Sequence, residues 1–309
     1  MRITNNMIFG ATTRNAKAHL EKLFGLQQQL ATGKKITRPS DDPTGTDRAM
    51  LLRGSLSQQE QYQENIRDAG TWLKITDGAL DDAHSVLDRA RELAVRGAND
   101  TNDADERRAM AEEVAQLRAQ LQVIANSEIN GRFIFGGTKT VPQPTATPPF
   151  SLPYPDPVAP ATEITFTGNN VGMDIEVVPG VTIPYNTTGS AAFGSPTDAD
   201  RAFKVLEDLE TVLRAGDTPA ISQSIGRLDA ALNRVSTERA VVGARMNRLD
   251  LLEERYADAA LSYKERLSET EEPEFADVVS QLMQAESVYQ ASLAASGRII
   301  QPSLLDYLR

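Results

Sequence analysis

Apolar residues near both ends of the chain fall on a single helix face. At the start, Phe9, Ala16, Leu20, Leu23 and Leu30 recur at spacings of 7, 4, 3 and 7. At the end, Phe275, Val279, Leu282, Tyr289, Leu293 and Ile300 recur at 4, 3, 7, 4 and 7. Heptads of this kind lay a narrow apolar stripe along a helix. Such a stripe is stable only when another helix covers it, because helix stability in proteins comes mainly from packing. The two ends are far apart in sequence but carry matching stripes. They are expected to pair with each other or to share a partner, which points to assembly.

Between them the pattern predicts long helices. From about Pro43 to Gly97, Leu52, Gln59, Ile66, Leu73, Leu80, Leu87 and Ala94 stand seven apart. Three residues beyond each come Ser55, Tyr62, Ala69, Thr76, Ala83, Ala90 and Gly97. One series is mostly large and the other mostly small, a coiled-coil or long-bundle signal that permits close helix approach. Such a helix would be roughly 80 Å long. Asp42-Pro43 marks its start, a capping residue before a proline at the first helical position. After the turn cluster Asn99–Asp103, Met110, Val114, Leu117, Leu121 and Ile124 predict a second helix folded back antiparallel. Helix resumes near Asp198 with Ala202, Leu206, Leu209 and Leu213. From Ile221 to Leu267 the 4-3 alternation runs on, interrupted only by Arg239 and Glu253, whose stems are expected along the seam with their heads in solvent. Ser268 to Pro273 reads as an acidic hinge.

The middle of the chain differs. Between Val141 and Asp200 there is no Lys or Arg, and 11 of the 16 prolines lie there. Pro142 to Pro160 reads as an extended linker or wrapped loop. Beyond it, Glu163–Thr167 and Met173–Val177 alternate, with turns at Pro179-Gly180 and Pro184–Asn186. The expected fold is therefore mainly α: an elongated antiparallel helical bundle or coiled-coil rod with a small inserted β-rich module and paired terminal helices. The divisions are 1–43 with 268–309 as a terminal coiled-coil assembly domain, 44–140 with 199–267 as the helical rod, and 141–198 as the β-rich module. The nesting places that module at one end of the rod and both termini at the other.

Composition narrows the function. The chain is 40% hydrophobic and 24% charged, enough for a core, but only 6% aromatic, lean for a globular enzyme. A net charge of −11 argues against nucleic acid. Residues 1–48 alone carry a surplus of four positive charges, which leaves −15 for the rest. The absence of cysteine removes disulfides, thiol catalysis and thiolate metal sites. The start lacks the apolar stretch of a secretory signal, and no segment approaches the 18 apolar residues of a membrane span. These features fit either a cytosolic protein or one exported without a cleaved signal.

Four segments carry a resemblance. They are Met1-Arg2-Ile3-Thr4-Asn5-Asn6-Met7; Ala31–Ile36 followed by Arg38-Pro39-Ser40-Asp41-Asp42-Pro43-Thr44-Gly45; Asn130–Thr138; and Leu304-Leu305-Asp306-Tyr307-Leu308. With their spacing they resemble the flagellin family of the bacterial flagellum, over about 200 residues covering both ends and the helical body. The Arg38–Pro43 loop is more similar to the members that join hook to filament than to flagellins, which usually carry Ala-rich residues there. The resemblance implies a structural subunit of the flagellum that connects the hook region to the flagellin filament and self-assembles through its terminal helices. Its implied partners are copies of itself, hook-associated protein 1, flagellin, the flagellar type III export apparatus and an export chaperone, with no nucleic acid and no membrane insertion. Its implied place is extracellular, in the flagellum, reached without a cleaved signal. About one helical turn of subunits would form such a junction. The alternatives are flagellin itself, present in thousands of copies, or a cytosolic helical scaffold or enzyme.

The expected assembly interface comprises Phe9, Ala16, Leu20, Leu23, Leu30, Phe275, Val279, Leu282, Tyr289, Leu293, Ile300, Leu304, Leu305 and Leu308. Gly33 and Gly45 are expected to permit turns around the basic-then-acidic loop. Phe133–Gly137 reads as a short strand ending in a glycine turn. No catalytic, cofactor or metal site is expected. His84 with Asp81 and Asp88 could share one helix face, but a solvated face is the ordinary explanation. Asp41-Asp42 between prolines reads as capping. Gly136-Gly137 lacks a downstream Lys and a βαβ context, and no Gly-x-Ser-x-Gly elbow occurs. Asn186-Thr187-Thr188 matches a glycosylation sequon, but a signal-less chain is not expected to meet that machinery.

Overall fold

The computed structural model describes residues 5–99, 102–141, 148–151 and 164–300. Seven α-helices and three antiparallel strand pairs lie among them. The helices are α1 (Asn5–Thr32), α2 (Pro43–Gly97), α3 (Ala104–Ala125), α4 (Gly189–Phe193), α5 (Ala202–Ala215), α6 (Thr218–Glu271) and α7 (Phe275–Ile300). The strands are β1 (Glu128–Ile129), β2 (Arg132–Phe133), β3 (Phe150–Ser151), β4 (Thr165–Phe166), β5 (Asp174–Val178) and β6 (Val181–Pro184), paired β1-β2, β3-β4 and β5-β6. They form two compact units, residues 60–256 and residues 1–59 with 257–309.

In the 60–256 unit the heptad of α2 is buried at every a and d position from Tyr62 to Gly97. Leu73, Leu80, Leu87 and Ala94 are fully enclosed, as are Ala83 and Ala90 of the small series. The small series ends at Gly97, where a Cβ would strike Leu213 of α5. α6 runs antiparallel to α2, as paired side chains show: Arg91 Nε to Asp229 Oδ1 at 2.5 Å, and Arg239 Nη1 to Asp81 Oδ1 at 2.6 Å. Arg239 Nε also meets Asp77 Oδ1 at 3.3 Å. The expected solvated head is thus an ion pair across the seam, because Asp77 and Asp81 stand one helical turn apart on the facing helix. α3 turns back on a capping box formed by Asp103 and Glu106. It lies antiparallel to α5, with Arg118 on Glu210 and Arg214 on Glu112.

The β segments share this core. Five of the nine phenylalanines, Phe135, Phe150, Phe166, Phe193 and Phe203, touch one another with ring centroids 5.0–5.9 Å apart. The end-on placement expected for the module is not observed. α3 has 22 residues, about 33 Å, and so returns only partway along α2. The β1-β2 hairpin therefore meets α2 near Trp72, with the Arg132 guanidinium 5.8 Å from the Trp72 ring. The β5-β6 pair lies further towards Tyr62, where Asn65 Nδ2 donates to the Glu176 carbonyl and Tyr256 Oη to the Val177 carbonyl. Asn130 and Gly131, both at positive φ (50° and 71°), make the tight β1-β2 turn. The expected strand Phe133–Gly137 is only its first residue, β2 ending at Phe133. Most of Pro142–Pro160, and Glu163, lie outside the described residues.

Lys204, Asp208 and Arg227 tie α5 to α6. Burial alone would raise the Asp208 carboxyl. The Lys204 ammonium at 2.9 Å and the Arg227 guanidinium at 2.8 Å outweigh it and hold the group below its ordinary 3.8. A carboxylate lowered in the folded state stabilises above its unfolded pKa and loses that contribution as pH falls through the folded value. Asp208→Asn is expected to lower stability at neutral pH by on the order of 1 kcal/mol. It should also shrink the loss of melting temperature on acidification below about pH 4. Thermal melts at pH 7 and pH 3 check this, and parallel curves for both proteins would refute it.

Candidate assembly site

In the other unit, α1 and α7 pack antiparallel. Lys35 N donates to the Glu271 carbonyl (2.6 Å), which fixes the end of α1 beside the start of α7. Leu26, Val278 and Ala285 are buried between the two helices, with Leu30 and Leu282 packed against them. Asn5–Thr32 and Phe275–Ile300 are thus helical and paired within one chain, with Leu26 packed against Val278 and Ala285.

Ala16, Leu20, Leu23 and Tyr289 are half-buried. Phe275, Val279 and Leu293 point outward at 57, 38 and 49% exposure, joined by Met283 at 64%. α7 therefore carries two neighbouring apolar faces. Val278, Leu282 and Ala285 are spent inside the chain, and the stripe of Phe275, Val279 and Met283, four residues apart, is left open. The buried set includes Leu26, Val278 and Ala285, which the heptad reading did not name. Continuing the 3-4 spacing from Leu30 and Leu282 would have reached them. The side chains of Phe9 and Ile300, and all of Leu304, Leu305 and Leu308, lie outside the described residues.

The loop between α1 and α2 is built by its two aspartates. Asp41 Oδ2 accepts from Arg38 N (2.9 Å), Thr37 Oγ1 (3.0 Å) and Thr37 N (3.2 Å). The Arg38 N–H bond, followed by the Thr37 hydroxyl, lowers the Asp41 carboxyl below its ordinary range. Asp42 Oδ1 accepts from Gly45 N (2.9 Å) and caps α2, with Pro43 at its first position. Gly33, at φ 67°, ends α1 in the left-handed conformation. Gly45 does not make a turn. It lies in the first turn of α2, where a Cβ would collide with the Asp42 carboxylate and Ile36. Pro39 and Ser40 are exposed.

Glu271, the last residue of α6, is 5% exposed and closes the junction. Its Oε2 meets Arg53 Nη2 at 2.6 Å and Lys34 Nζ at 3.0 Å. A buried carboxylate needs such partners. α6 runs through Ser268–Glu271 of the expected Ser268–Pro273 hinge, and the break is confined to Glu272–Glu274 before α7, because Pro273 cannot donate to a continuing helix. Above Glu271 opens a cleft of about 510 Å³ lined by Lys34, Ile36, Arg38, Pro39, Met50 and Arg53, among others. Among the described residues no three His, Cys, Asp or Glu side chains gather as a metal site, and no helix is long and apolar enough to cross a membrane. Asn186 is buried, with its Oδ1 accepting from Met173 N.

Residues 3–140 match the family described as the bacterial flagellin N-terminal helical region. Flagellar hook-associated protein 3 of Salmonella typhimurium is 26% identical over 94% of this chain and 95% of its own length. A flagellin of Bacillus subtilis is 28% identical over 81% of the chain and 80% of its own length. Among solved structures, a flagellar hook-associated protein of Vibrio parahaemolyticus, described there as putative, superposes with TM-score 0.66 at 22% identity, over 75% of this chain and all of that one. The flagellar junction protein FlgL of Legionella pneumophila gives 0.58 at 16% identity, over 72% and 100%. These two show the fold.

Proposed function

We propose that this chain, a flagellin-family protein related along nearly its whole length to hook-associated protein 3, joins the flagellar hook region to the filament. Its role is structural and flagellar. The observation that carries the reading is the pairing of the two chain ends in one helical layer with an open apolar stripe on its outside. A likeness that spans both termini and the helical body, and is wider for hook-associated protein 3 than for flagellin, favours the junction over the bulk filament.

On this reading the assembly residues are Ala16, Leu20, Leu23, Leu30, Phe275, Val279, Leu282, Tyr289 and Leu293, together with Phe9, Ile300, Leu304, Leu305 and Leu308, which the sequence pattern alone assigns. The subunit associates with its own copies, with a hook-associated protein below and with flagellin above. It reaches the extracellular flagellum through the type III channel, for which a cysteine-free chain is suited. It performs no catalysis.

Electron microscopy of flagella from a strain lacking this gene tests the proposal. The expected result is hooks without filaments and flagellin shed into the medium, reversed by restoring the gene. Normal filaments on the deletion strain would refute it. Loss of the filament protein itself, with thousands of copies of this chain per flagellum in the parent, would assign the bulk filament instead.

A further inference from the structure

The junction cleft and the outer face of α7 complement each other. The floor of the cleft is apolar, made by Ile36, Pro39, Ala49 and Met50, and Met50 is 58% exposed. Three cations rim it: Lys34, Arg38 and Arg53. Glu271 neutralises only one charge, since the same carboxylate oxygen serves both Lys34 and Arg53. The Arg38 guanidinium is near enough to the Asp41 carboxylate to feel its charge, but forms no ion pair within 4 Å among the described residues, so the rim stays net positive after Glu271 and Asp41 are counted. The Arg38 backbone N–H is held by Asp41 while its side chain lines the cleft. The cleft therefore offers an apolar floor with a net positive rim.

The open stripe of α7 has the opposite character. Phe275, Val279 and Met283 follow one another at four-residue intervals, and Glu286, three residues beyond Met283, lies on the same side at helical spacing. Glu286 is exposed and, among the described residues, unpaired. The stripe is thus apolar with a carboxylate at one end. A cleft of this volume falls within the range that accepts a few bulky side chains.

We propose that the cleft of one subunit receives the α7 stripe of a second copy, with Met283 and Val279 on the apolar floor and Glu286 paired with Arg38. Donor and acceptor are different patches, so the contact is heterologous and propagates from copy to copy instead of closing on a two-fold axis. Such a contact suits a layer of subunits around an axis. The inference rests on the reading of the chain as a self-assembling flagellar subunit.

Because the chain has no cysteine, an introduced thiol is the only one it carries. Full-length Met50→Cys and Met283→Cys chains, of distinguishable mass, are mixed on hooks isolated from the deletion strain and treated with a short bis-maleimide. The expected product is the mixed Met50/Met283 dimer, exceeding either homodimer. Arg38→Glu in the Met50→Cys chain should cut it at least tenfold, and Glu286→Arg in the Met283→Cys chain should restore it. Protein that binds the hooks but gives no mixed product overturns the cleft-to-α7 contact and leaves the junction reading standing. A mixed product indifferent to Arg38→Glu overturns the pairing at its centre. Failure to bind hooks at all overturns both.

Discussion

Leu73→Asp is expected to collapse the 60–256 unit. Leu73 is fully enclosed, and the neighbouring a positions Ile66 and Leu80 are 2 and 0% exposed, so the new carboxylate would be cut off from water in a mostly apolar seam. An unpaired charge in such a site costs on the order of 4 kcal/mol or more. Against a total stability of about 5–15 kcal/mol this is a large fraction. For a unit of this size the melting temperature should drop by about 10 °C or more. Leu251→Asp is the matched control, because Leu251 on α6 is 68% exposed and should be nearly neutral. Circular dichroism melting distinguishes them. Equal melting temperatures for both variants would mean that the α2 seam does not hold the unit together.

The same heptad explains how much could be read from the chain. From Tyr62 to Gly97 every a and d position is buried, because a regular large-small repeat admits only one face as the seam. Where a helix has two apolar faces the pattern is ambiguous. On α7, Val278 and Val279 are adjacent, and periodicity alone does not say which one a partner covers. Charges on a seam are ambiguous for a related reason. Arg239 reads as a snorkelling side chain until Asp77 and Asp81, some 160 residues earlier, are known to face it. The β segments were legible as turns and short alternations, but their position follows from helix lengths. α3 is far shorter than α2, so the chain leaves the helical layer beside Trp72 and not at its tip. The Asn130-Gly131 turn of the β1-β2 hairpin was missed, although Asn-Gly is a strong hairpin signal. At the assembly junction, the loop aspartates announced their capping role in sequence. Glu271 did not, since its partners Lys34 and Arg53 come from the opposite end of the chain.

Trimming residues 1–30 and 280–309 is expected to leave the melting of the 60–256 unit nearly unchanged and to abolish filament attachment. Every buried member of its large core lies between Ile66 and Leu249, so the trimmed residues supply none of it. The terminal cluster is separate and small: Leu26 and Leu30 from one helix, Val278, Leu282 and Ala285 from the other. The double trim removes the packed stretches of both helices and leaves Val278 as the one remaining member of that cluster. Removing one end alone would expose the other's stripe, and such a protein should aggregate where the double trim does not. Glu271, Lys34 and Arg53 are all retained, so the buried Glu271 carboxylate keeps its ion-pair partners and the loop keeps its Asp41 and Asp42 hydrogen bonds. The open face of α7 loses Met283, Glu286 and Leu293 and can no longer bridge subunits. The checks are a circular dichroism melt of the trimmed protein and electron microscopy of the deletion strain supplied with it, in which hooks should remain bare. A trimmed protein that fails to fold would place the ends in the main core and refute the separation of assembly from stability.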